Sequence, residues 1–290
     1  MVANSVCILL RYLFRSLIVV LLSTVGTNAG ELALLRIGLT PVFLDDQPRI
    51  LNAWQGYLEQ HLSRRVEFVQ RASYREITDL LLRGELDVAW MCGLPYVEFK
   101  AKLSLVAAPV YHGAPLYRSY LIVPEFDKTT SSWENLPKGV FAFSDPDSNS
   151  GSLYPRAAMR RAGLDPDRYF RRVFFAKGHR NVVEAVSAGL ADAGAVDGYV
   201  WDTLERDRPD LTAATRIVAR SGTFGFPPIV ARADLGDSLI ESLRIVLMDM
   251  TADPEGVRVL GMFNLDGFAK VKDSLYDSIA STAESLGRLR

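Results

Sequence analysis

The segment VFAFSDPDSNSGSLYP, residues 140–155, decides the fold of this chain because an apolar strand, a polar loop and a helix follow one another in it. Val140–Ser144 reads as a strand buried on both faces. A polar loop covers 145–150, and the spacing predicts a helix over 152–162. A strand followed directly by a helix is the repeating unit of α/β folds.

The same strand–helix alternation extends outward in both directions from this segment. Strands are predicted at 34–39, 66–69, 87–91, 103–110, 117–123, 172–176, 193–197 and 214–220, and helices at 48–62, 74–83, 96–101, 133–136, 181–188, 199–206, 237–251, 254–261 and 268–287. This order favours an α/β fold with largely parallel sheets. Two such blocks without a flexible linker indicate two lobes that share a cleft, and ligands of such sheets lie beyond the carboxyl ends of the strands.

Composition excludes several classes of protein. The 290 residues are 49% hydrophobic and 23% charged, as in folded globular proteins, and the formal net charge is −1. We therefore expect no nucleic-acid partner, since such binders carry a strongly basic face. With two cysteines and three histidines, the sequence offers neither a disulfide framework nor a multi-ligand zinc site.

The first 29 residues have the pattern of a secretory signal peptide. Arg11 and Arg15 precede the apolar run 17–22, and a small-residue stretch ends at Ala29. Cleavage there would remove Cys7 and two arginines but no acid, changing the net charge from −1 to −3. The alternative, an uncleaved anchor, has too short an apolar core to span a bilayer.

The loop at the start of the helix after Ser144 is the strongest candidate site. Ser148, Asn149, Ser150, Gly151 and Ser152 combine hydroxyl donors with a glycine that lets an anion approach the backbone. A helix N-terminus adds unpaired N–H groups and a positive partial charge. The residues therefore predict an oxyanion site, with a plain helix cap as the alternative.

Three further side chains lie where predicted strands end. His179 would begin a helix and could donate to an anion, or be a solvated surface histidine. Asp197 could hold an ammonium or hydroxyl group of a ligand, or cap the following helix. Tyr74 could present its phenol to the cleft.

A second group of residues could line the cleft without a specific role. They are Trp90, Met91, Cys92, Tyr96 and Tyr199. Cys92 is better explained as a small buried hydrophobic residue than as a nucleophile. The sequence contains no G-x-S-x-G, H-E-x-x-H, G-x-x-x-x-G-K-[ST] or G-x-G-x-x-G motif, so we expect no catalytic residue, no metal and no cofactor.

Five segments together carry a family resemblance. They are LRIGLTP (35–41), LLRGELDVAWMCGLPYVEF (81–99), FSDPDSNSGSLYP (143–155), GHRNVVEAVSAGLADAGAVDGYVW (178–201) and GFPPIVAR (225–232). Their order resembles that of the phosphonate/phosphite substrate-binding proteins of bacterial ABC importers. The resemblance implies the two-lobed type II periplasmic-binding fold, with residues 30–117 and 222–290 forming lobe 1 and residues 118–221 forming lobe 2.

The resemblance also implies roles for matching residues. The serine-rich loop 148–152 would grip the phosphonate oxygens, and Tyr74 and His179 match a tyrosine and a histidine of the family's site. Asp197 matches the acid that meets the amine of aminoalkylphosphonates. This chain departs from that pattern at Met91–Cys92 and at Asn149, where a threonine is common.

The function implied is an exported, non-enzymatic periplasmic carrier. It would bind a small anion between its lobes and deliver it to a membrane permease, as a monomer or a homodimer. The alternatives are a sensor of the same fold that signals to a membrane receptor, a binder of a sulfonate or a thiamine precursor, and a hydrolase or transferase that uses Cys92 or His179.

Overall fold

A computed structural model describes residues 32–41 and 48–289 of the chain. The predicted signal peptide, residues 1–29, therefore lies outside the described residues, as does Cys7. Among the described residues, no helix has the length and apolar character needed to cross a membrane.

The strands alternate with helices along much of the chain, as the sequence predicts. The strands are β1 (Leu34–Leu39), β2 (Arg65–Gln70), β3 (Val88–Trp90), β4 (Leu103–Val110), β5 (Leu116–Tyr117), β6 (Ser119–Pro124), β7 (Val140–Phe143), β8 (Arg172–Phe175), β9 (Ala193–Asp197), β10 (Thr215–Arg220), β11 (Phe224–Gly225), β12 (Ile229–Arg232) and β13 (Gly267–Ala269). The α-helices are α1 (Pro48–Leu62), α2 (Tyr74–Leu82), α3 (Gly93–Phe99), α4 (Tyr154–Arg161), α5 (His179–Ser187), α6 (Gly198–Asp207), α7 (Pro209–Thr212), α8 (Asp237–Met248), α9 (Pro254–Phe263) and α10 (Asp277–Ser285).

The first sheet has the strand order β13-β4-β12-β3-β1-β2, and the part of the chain around it is lobe 1. β1 pairs in parallel with β2 and with β3. β12 lies antiparallel between β3 and β4, and β13 is antiparallel to β4. All three residues of β3 are buried, which fits a central strand covered on both faces.

The second sheet has the order β10-β6-β9-β7-β8 and forms the centre of lobe 2. β7 pairs in parallel with β8 and β9, whereas β6 is antiparallel to both β9 and β10. The α/β class with mixed sheets is thus confirmed, and the antiparallel pairs are more frequent than the alternation alone suggests. The carboxyl ends of β7 and β8 lead into the two helix starts that the sequence analysis selected, at the serine-rich loop and at His179.

A short ribbon joins the two lobes. β5 leads into lobe 2 and β11 leads back from it, and the two strands pair antiparallel through Tyr117–Phe224 and Leu116–Gly225. Because both crossings lie side by side, the lobes are connected at one edge of the cleft. This arrangement allows hinge motion about a few residues.

Aromatic packing holds the core of lobe 1. One face of α1 buries Ile50, Leu51, Trp54, Tyr57 and Leu58, the helical spacing expected of an amphipathic helix. The Trp54 ring packs edge-on against Trp90, at 5.8 Å between centroids, and against Phe263, at 5.3 Å. Edge-to-face pairs at such distances are the favoured aromatic geometry.

Two predicted helices are corrected by the structure. The helix expected near 268–287 is α-helical only over Asp277–Ser285, after a 3₁₀ turn at Asp273–Tyr276, because Gly267–Ala269 pairs with β4 as strand β13. The helix expected at 133–136 is a turn, in which Asn135 Oδ1 accepts hydrogen bonds from the N–H groups of Ser131 and Ser132. In both places backbone groups form hydrogen bonds outside a helix. The helical spacing of apolar residues therefore does not decide the local structure.

Candidate functional site

The loop after β7 folds into a wide helical turn before α4 begins. Asn149–Leu153 form one turn of π-helix, in which the Leu153 N–H donates to the Ser148 carbonyl at 3.0 Å. Ser148 caps this turn, since its Oγ accepts a hydrogen bond from the Gly151 N–H at 3.0 Å. The predicted helix start is therefore real but wider than an α-helix, a feature frequent at functional sites.

Gly151 is required for packing as well as for access. A Cβ at this position would lie 1.9 Å from Ser144 Oγ and 2.9 Å from His179 Cε1. Any larger residue would therefore collide with two neighbouring side chains. The loop and His179 fit together only because this residue is glycine.

His179 begins α5 and is buried, not solvated at the surface. Its Nδ1 accepts a hydrogen bond from the Asp197 N–H at 3.0 Å, so the ring proton of the neutral imidazole belongs on Nε2. Burial lowers the pKa of His179 to about 3, which keeps the ring uncharged at neutral pH. The α5 face of Val182, Val183 and Val186 holds the helix against the core.

These contacts fix the direction of the Ser148 hydroxyl proton. Nε2 of His179 lies 3.4 Å from Ser148 Oγ, and that oxygen also accepts from the Gly151 N–H. With both partners donating to the oxygen, the hydroxyl hydrogen of Ser148 remains available for a further acceptor. The Ser148 hydroxyl is thus a neutral hydrogen-bond donor, and its contacts with Gly151 and His179 set its direction.

Residues of lobe 1 and the ribbon meet this loop of lobe 2. The Tyr74 N–H donates to Asp145 Oδ2 at 3.3 Å, and Sγ of Cys92 accepts from the Asn149 N–H at 3.2 Å. Asn149 Nδ2 donates to the Tyr117 hydroxyl at 2.9 Å. The structure thus brings Tyr74 and Cys92 of lobe 1 together with the loop across the cleft.

Several polar atoms at this junction are buried without a hydrogen-bond partner among the described residues. They are the hydroxyl of Tyr74, Oγ of Ser144, Oγ of Ser150 and Oδ1 of Asn149. A buried polar atom without a partner costs about 1–3 kcal/mol. Four in one place point to a small polar ligand that would complete their hydrogen bonds.

The buried charged residues of the site are all acids. Asp145 and Asp197 are both buried, and burial raises the pKa of each carboxyl group. Asp197 also caps α6, accepting from the Tyr199 N–H at 2.9 Å. No lysine or arginine side chain is buried in the ranges 32–41 and 48–289.

The tyrosines and the thiol around the loop are protonated at neutral pH. Burial raises the pKa of Tyr74 and Tyr117 well above the usual value, and it raises the pKa of the Cys92 thiol to about 12. Each phenol can therefore act as a hydrogen-bond donor. A thiol held in this form is a poor nucleophile.

The remaining predicted residues lie further from these contacts. Ser152 is buried, and it lines a groove with Pro146, Arg156, Arg160 and Arg288. Met91 is fully buried, and its N–H donates to the Pro228 carbonyl.

Three predicted cleft residues use their polar atoms elsewhere. The Trp90 indole N–H donates to the Pro227 carbonyl at 3.0 Å, and its ring packs in the aromatic core. The Tyr96 hydroxyl donates to Asp273 at 2.7 Å. The Tyr199 hydroxyl donates to the Phe263 carbonyl. The polar atoms of these three side chains are therefore bonded within the protein and do not serve as donors to a ligand.

Sequence reasoning missed four residues that contact the loop or belong to it. Tyr117 and Ser119 come from the ribbon and β6, and Ser119 Oγ donates to the Ser150 carbonyl at 2.6 Å. Ser144 and Asp145 precede the segment selected for ligand contact. Their position directly after a buried strand was a usable signal, whereas nothing in the local sequence marks Tyr117.

An ion-pair network closes the outer rim of the cleft. Asp147 pairs with Arg75 of α2 at 3.0 Å and with Arg288 at 2.9 Å. Arg288 also pairs with Glu98 of α3 at 2.7 Å. Asp147 follows Asp145 in the loop, and its N–H donates to Asp145 Oδ1 at 2.8 Å, so the rim is connected to the inner site.

Comparison with known proteins agrees with this architecture. Residues 37–276 match the family model for the phosphonate periplasmic substrate-binding protein of ABC transporters. A probable phosphite-binding protein of an ABC transporter, PhnD1 of Prochlorococcus marinus, is 23% identical over 254 residues, covering 82% of this chain and 84% of the relative. The phosphate-import protein PhnD of Mycolicibacterium smegmatis is 27% identical over 199 residues, covering 64% of this chain and 62% of the relative.

Solved structures show the same fold. Prochlorococcus marinus PhnD1 in complex with methylphosphonate superposes with a TM-score of 0.81 at 21% identity, over 88% of this chain and 99% of the other. A binding-protein component of a phosphonate ABC transporter from Pseudomonas aeruginosa gives 0.80 at 22% identity, over 87% and 85%. The family match spans most of the chain and both sheets. The chain therefore belongs to the periplasmic phosphonate substrate-binding proteins of ABC transporters.

Proposed function

We propose that this chain captures a small phosphonate- or phosphite-type oxyanion between its lobes and delivers it to an ABC permease in the membrane. The observation that carries the proposal is the cluster of buried polar atoms without protein partners at Tyr74, Ser144, Asn149 and Ser150. The relatives named for phosphite and phosphate, and the methylphosphonate complex of a neighbouring structure, support the same ligand class.

Neutral donors suit a carrier better than a basic pocket would. Hydrogen bonds from hydroxyl and N–H groups to an anion contribute about 1.5–3 kcal/mol each when water is excluded. The free hydroxyl hydrogen of Ser148 and the phenols of Tyr74 and Tyr117 supply such bonds without a fixed positive charge. The ligand can then leave when the lobes separate and water returns.

Calorimetric titration of residues 30–290 tests the proposal. Methylphosphonate, phosphite, phosphate and methanesulfonate are titrated separately, and we expect at least one phosphorus oxyanion to bind with a Kd of about 10 µM or lower. The variant Ser148→Ala, which removes the oriented hydroxyl, should weaken that binding about tenfold or more. Binding of no phosphorus oxyanion below about 1 mM would overturn the proposal.

We also propose export through a cleaved signal at residues 1–29 and a lobe 2 bounded by residues 118 and 221. The bounds of lobe 2 at residues 118 and 221 are supported by β5 and β11, which precede and follow the second sheet in the chain. Mass spectrometry of the protein secreted from a host that recognises such signals tests the cleavage site. A mature N-terminus far from residue 30 would contradict it.

A sensor role and an enzymatic role make different predictions for the same protein. A sensor would bind the ligand equally well but would not restore uptake in a transporter strain lacking its own binding protein. An enzyme that used Cys92 would turn over its ligand and lose that turnover in Cys92→Ala. The raised pKa of the Cys92 thiol favours the carrier over such an enzyme.

A further inference from the structure

Two features of the candidate site limit the charge that its ligand can carry. First, the buried charged groups around it, Asp145, Asp147 and Asp197, are all acids, and His179 is neutral. Second, no arginine or lysine side chain is buried anywhere in the described ranges. A doubly charged anion enclosed here would face buried acids, whereas the cations at the rim, Arg75 and Arg288, are partly exposed and already paired with Asp147. Its electrostatic cost in a dry site would be high.

A third feature is an acceptor that an anion alone cannot satisfy. Oδ1 of Asn149 is buried without a partner, while Nδ2 of the same amide donates to Tyr117 at 2.9 Å. A carbonyl-type oxygen needs a hydrogen-bond donor. A fully deprotonated phosphonate has only acceptors, whereas its singly protonated form carries one hydroxyl donor.

We propose that the site binds its oxyanion as the singly protonated monoanion, with the ligand hydroxyl donating to Asn149 Oδ1. This inference rests on the proposed function and specifies the form of the ligand. The monoanion supplies acceptors for Ser148 and Tyr74 and one donor for Asn149. It also places one negative charge, not two, near Asp145 and Asp197.

Among the titratable groups around the ligand, only the carboxyls can add to the fall in affinity as the pH rises. Tyr74, Tyr117 and Cys92 remain protonated at neutral pH because burial raises their pKa values. The pKa of His179 is lowered to about 3. The carboxyls of Asp145 and Asp197 have raised pKa values, and their ionisation at higher pH repels a dianion further.

A pH series with the wild-type protein tests the inference without any substitution. Methylphosphonate is titrated into residues 30–290 between roughly pH 5.5 and pH 9, in pairs of buffers with different ionisation enthalpies. Above the second pKa of the ligand we expect the affinity to fall about tenfold per pH unit. We also expect one proton to be taken up per ligand bound there.

Methanesulfonate provides the matched ligand, since it has the same shape and remains a monoanion without a hydroxyl. At about pH 6 it should bind at least tenfold more weakly than methylphosphonate, because Asn149 Oδ1 then lacks a donor. Equal binding of the two ligands would contradict the assigned role of Asn149.

The variant Asp197→Asn tests whether repulsion by buried carboxylates disfavours the dianion. The affinity for methylphosphonate falls between about pH 6 and pH 9 in the wild type. Without this carboxylate that fall should be several-fold smaller. The control Asp210→Asn changes an exposed carboxylate of lobe 2, paired with Arg208, and should leave the profile unchanged.

The outcomes separate this inference from the proposed function. Tight binding of methylphosphonate with constant affinity and no proton uptake would overturn the inference and leave the proposed function intact. Failure of every phosphorus oxyanion to bind at any pH would remove both. If Asp197→Asn does not fold, the wild-type pH series and the sulfonate comparison still decide the question.

Discussion

Arg288, near the end of the chain, donates a hydrogen bond to Asp147 at 2.9 Å and another to the Pro146 carbonyl at 3.2 Å. Both acceptors belong to the loop of lobe 2 that leads to the candidate site. The same guanidinium binds Glu98 on lobe 1. One side chain of the C-terminal segment therefore ties the two lobes together at the rim of the cleft.

We expect Arg288→Ala to weaken ligand binding about threefold to tenfold, mainly through faster dissociation. The guanidinium is about one-third exposed, at 34%, so solvent screening limits the size of the effect. Stopped-flow displacement measures the dissociation rate directly. The control Arg258→Ala removes an exposed pair with Glu255 on α9 and should leave the affinity and the dissociation rate unchanged. An unchanged dissociation rate in Arg288→Ala would show that the rim does not hold the lobes closed.

We expect Gly151→Ala to lose most ligand affinity and about 1–3 kcal/mol of stability. The added Cβ would lie 1.9 Å from Ser144 Oγ, so the loop or His179 must shift. The control Gly56→Ala lies in helix α1, where an added Cβ meets no atom within 4 Å, and should be neutral or stabilising by up to about 1 kcal/mol. Chemical denaturation and calorimetry measure both quantities. Wild-type affinity in Gly151→Ala would mean that the loop tolerates more movement than its packing indicates.

The buried neutral state of His179 predicts a pH-dependent contribution to stability. Its folded pKa of about 3 lies below the ordinary value of 6.5, so the unfolded chain binds a proton more readily between these two pH values. The stability that neutral His179 contributes is therefore complete above about pH 6.5 and is lost as the pH falls toward 3. We expect the destabilisation caused by His179→Gln, measured by denaturation, to be smaller at pH 5 than at pH 7 by about 2 kcal/mol. Equal destabilisation at both pH values would mean that this histidine is charged or solvated in the folded protein.

We expect Cys92 to resist alkylation in the folded protein. Residues 30–290 contain this one cysteine, whose thiol is buried and has a pKa raised to about 12. Reaction with iodoacetamide at about pH 8 should be at least 100-fold slower than in guanidinium-unfolded protein, because the thiolate is the reactive form. Mass spectrometry follows the modification. Rapid labelling of the folded chain would reopen the enzymatic alternative.

Local patterns predicted many elements well because those elements are decided locally. Strands β1 and β9 have the predicted bounds, since each is a short apolar run between polar segments. The C-terminal apolar stripe misled the prediction because Phe268 pairs with Pro109 of β4, a contact more than a hundred residues away in sequence. Long-range pairing of this kind overrides helical spacing.

The candidate site, too, was predictable only where local sequence determines the structure. The serine-rich loop and the helix start at His179 follow from capping and strand-end rules. The contact between Cys92 and Asn149, and the one between Tyr117 and Asn149, depend on how the lobes meet. Sequence spacing carries no information about the contacts between the lobes, so the residues that pair across the cleft could not be predicted.

The attachment of Arg288 to both lobes also has a practical consequence for protein engineering. Leu289 borders the same groove as Arg75 and Asp147, so a group attached at Leu289 would lie beside the mouth of the cleft. A purification tag there would interfere with closure, whereas an environment-sensitive dye attached there would change its emission as ligand enters. Leu289 is thus a natural attachment point for a dye that reports ligand binding.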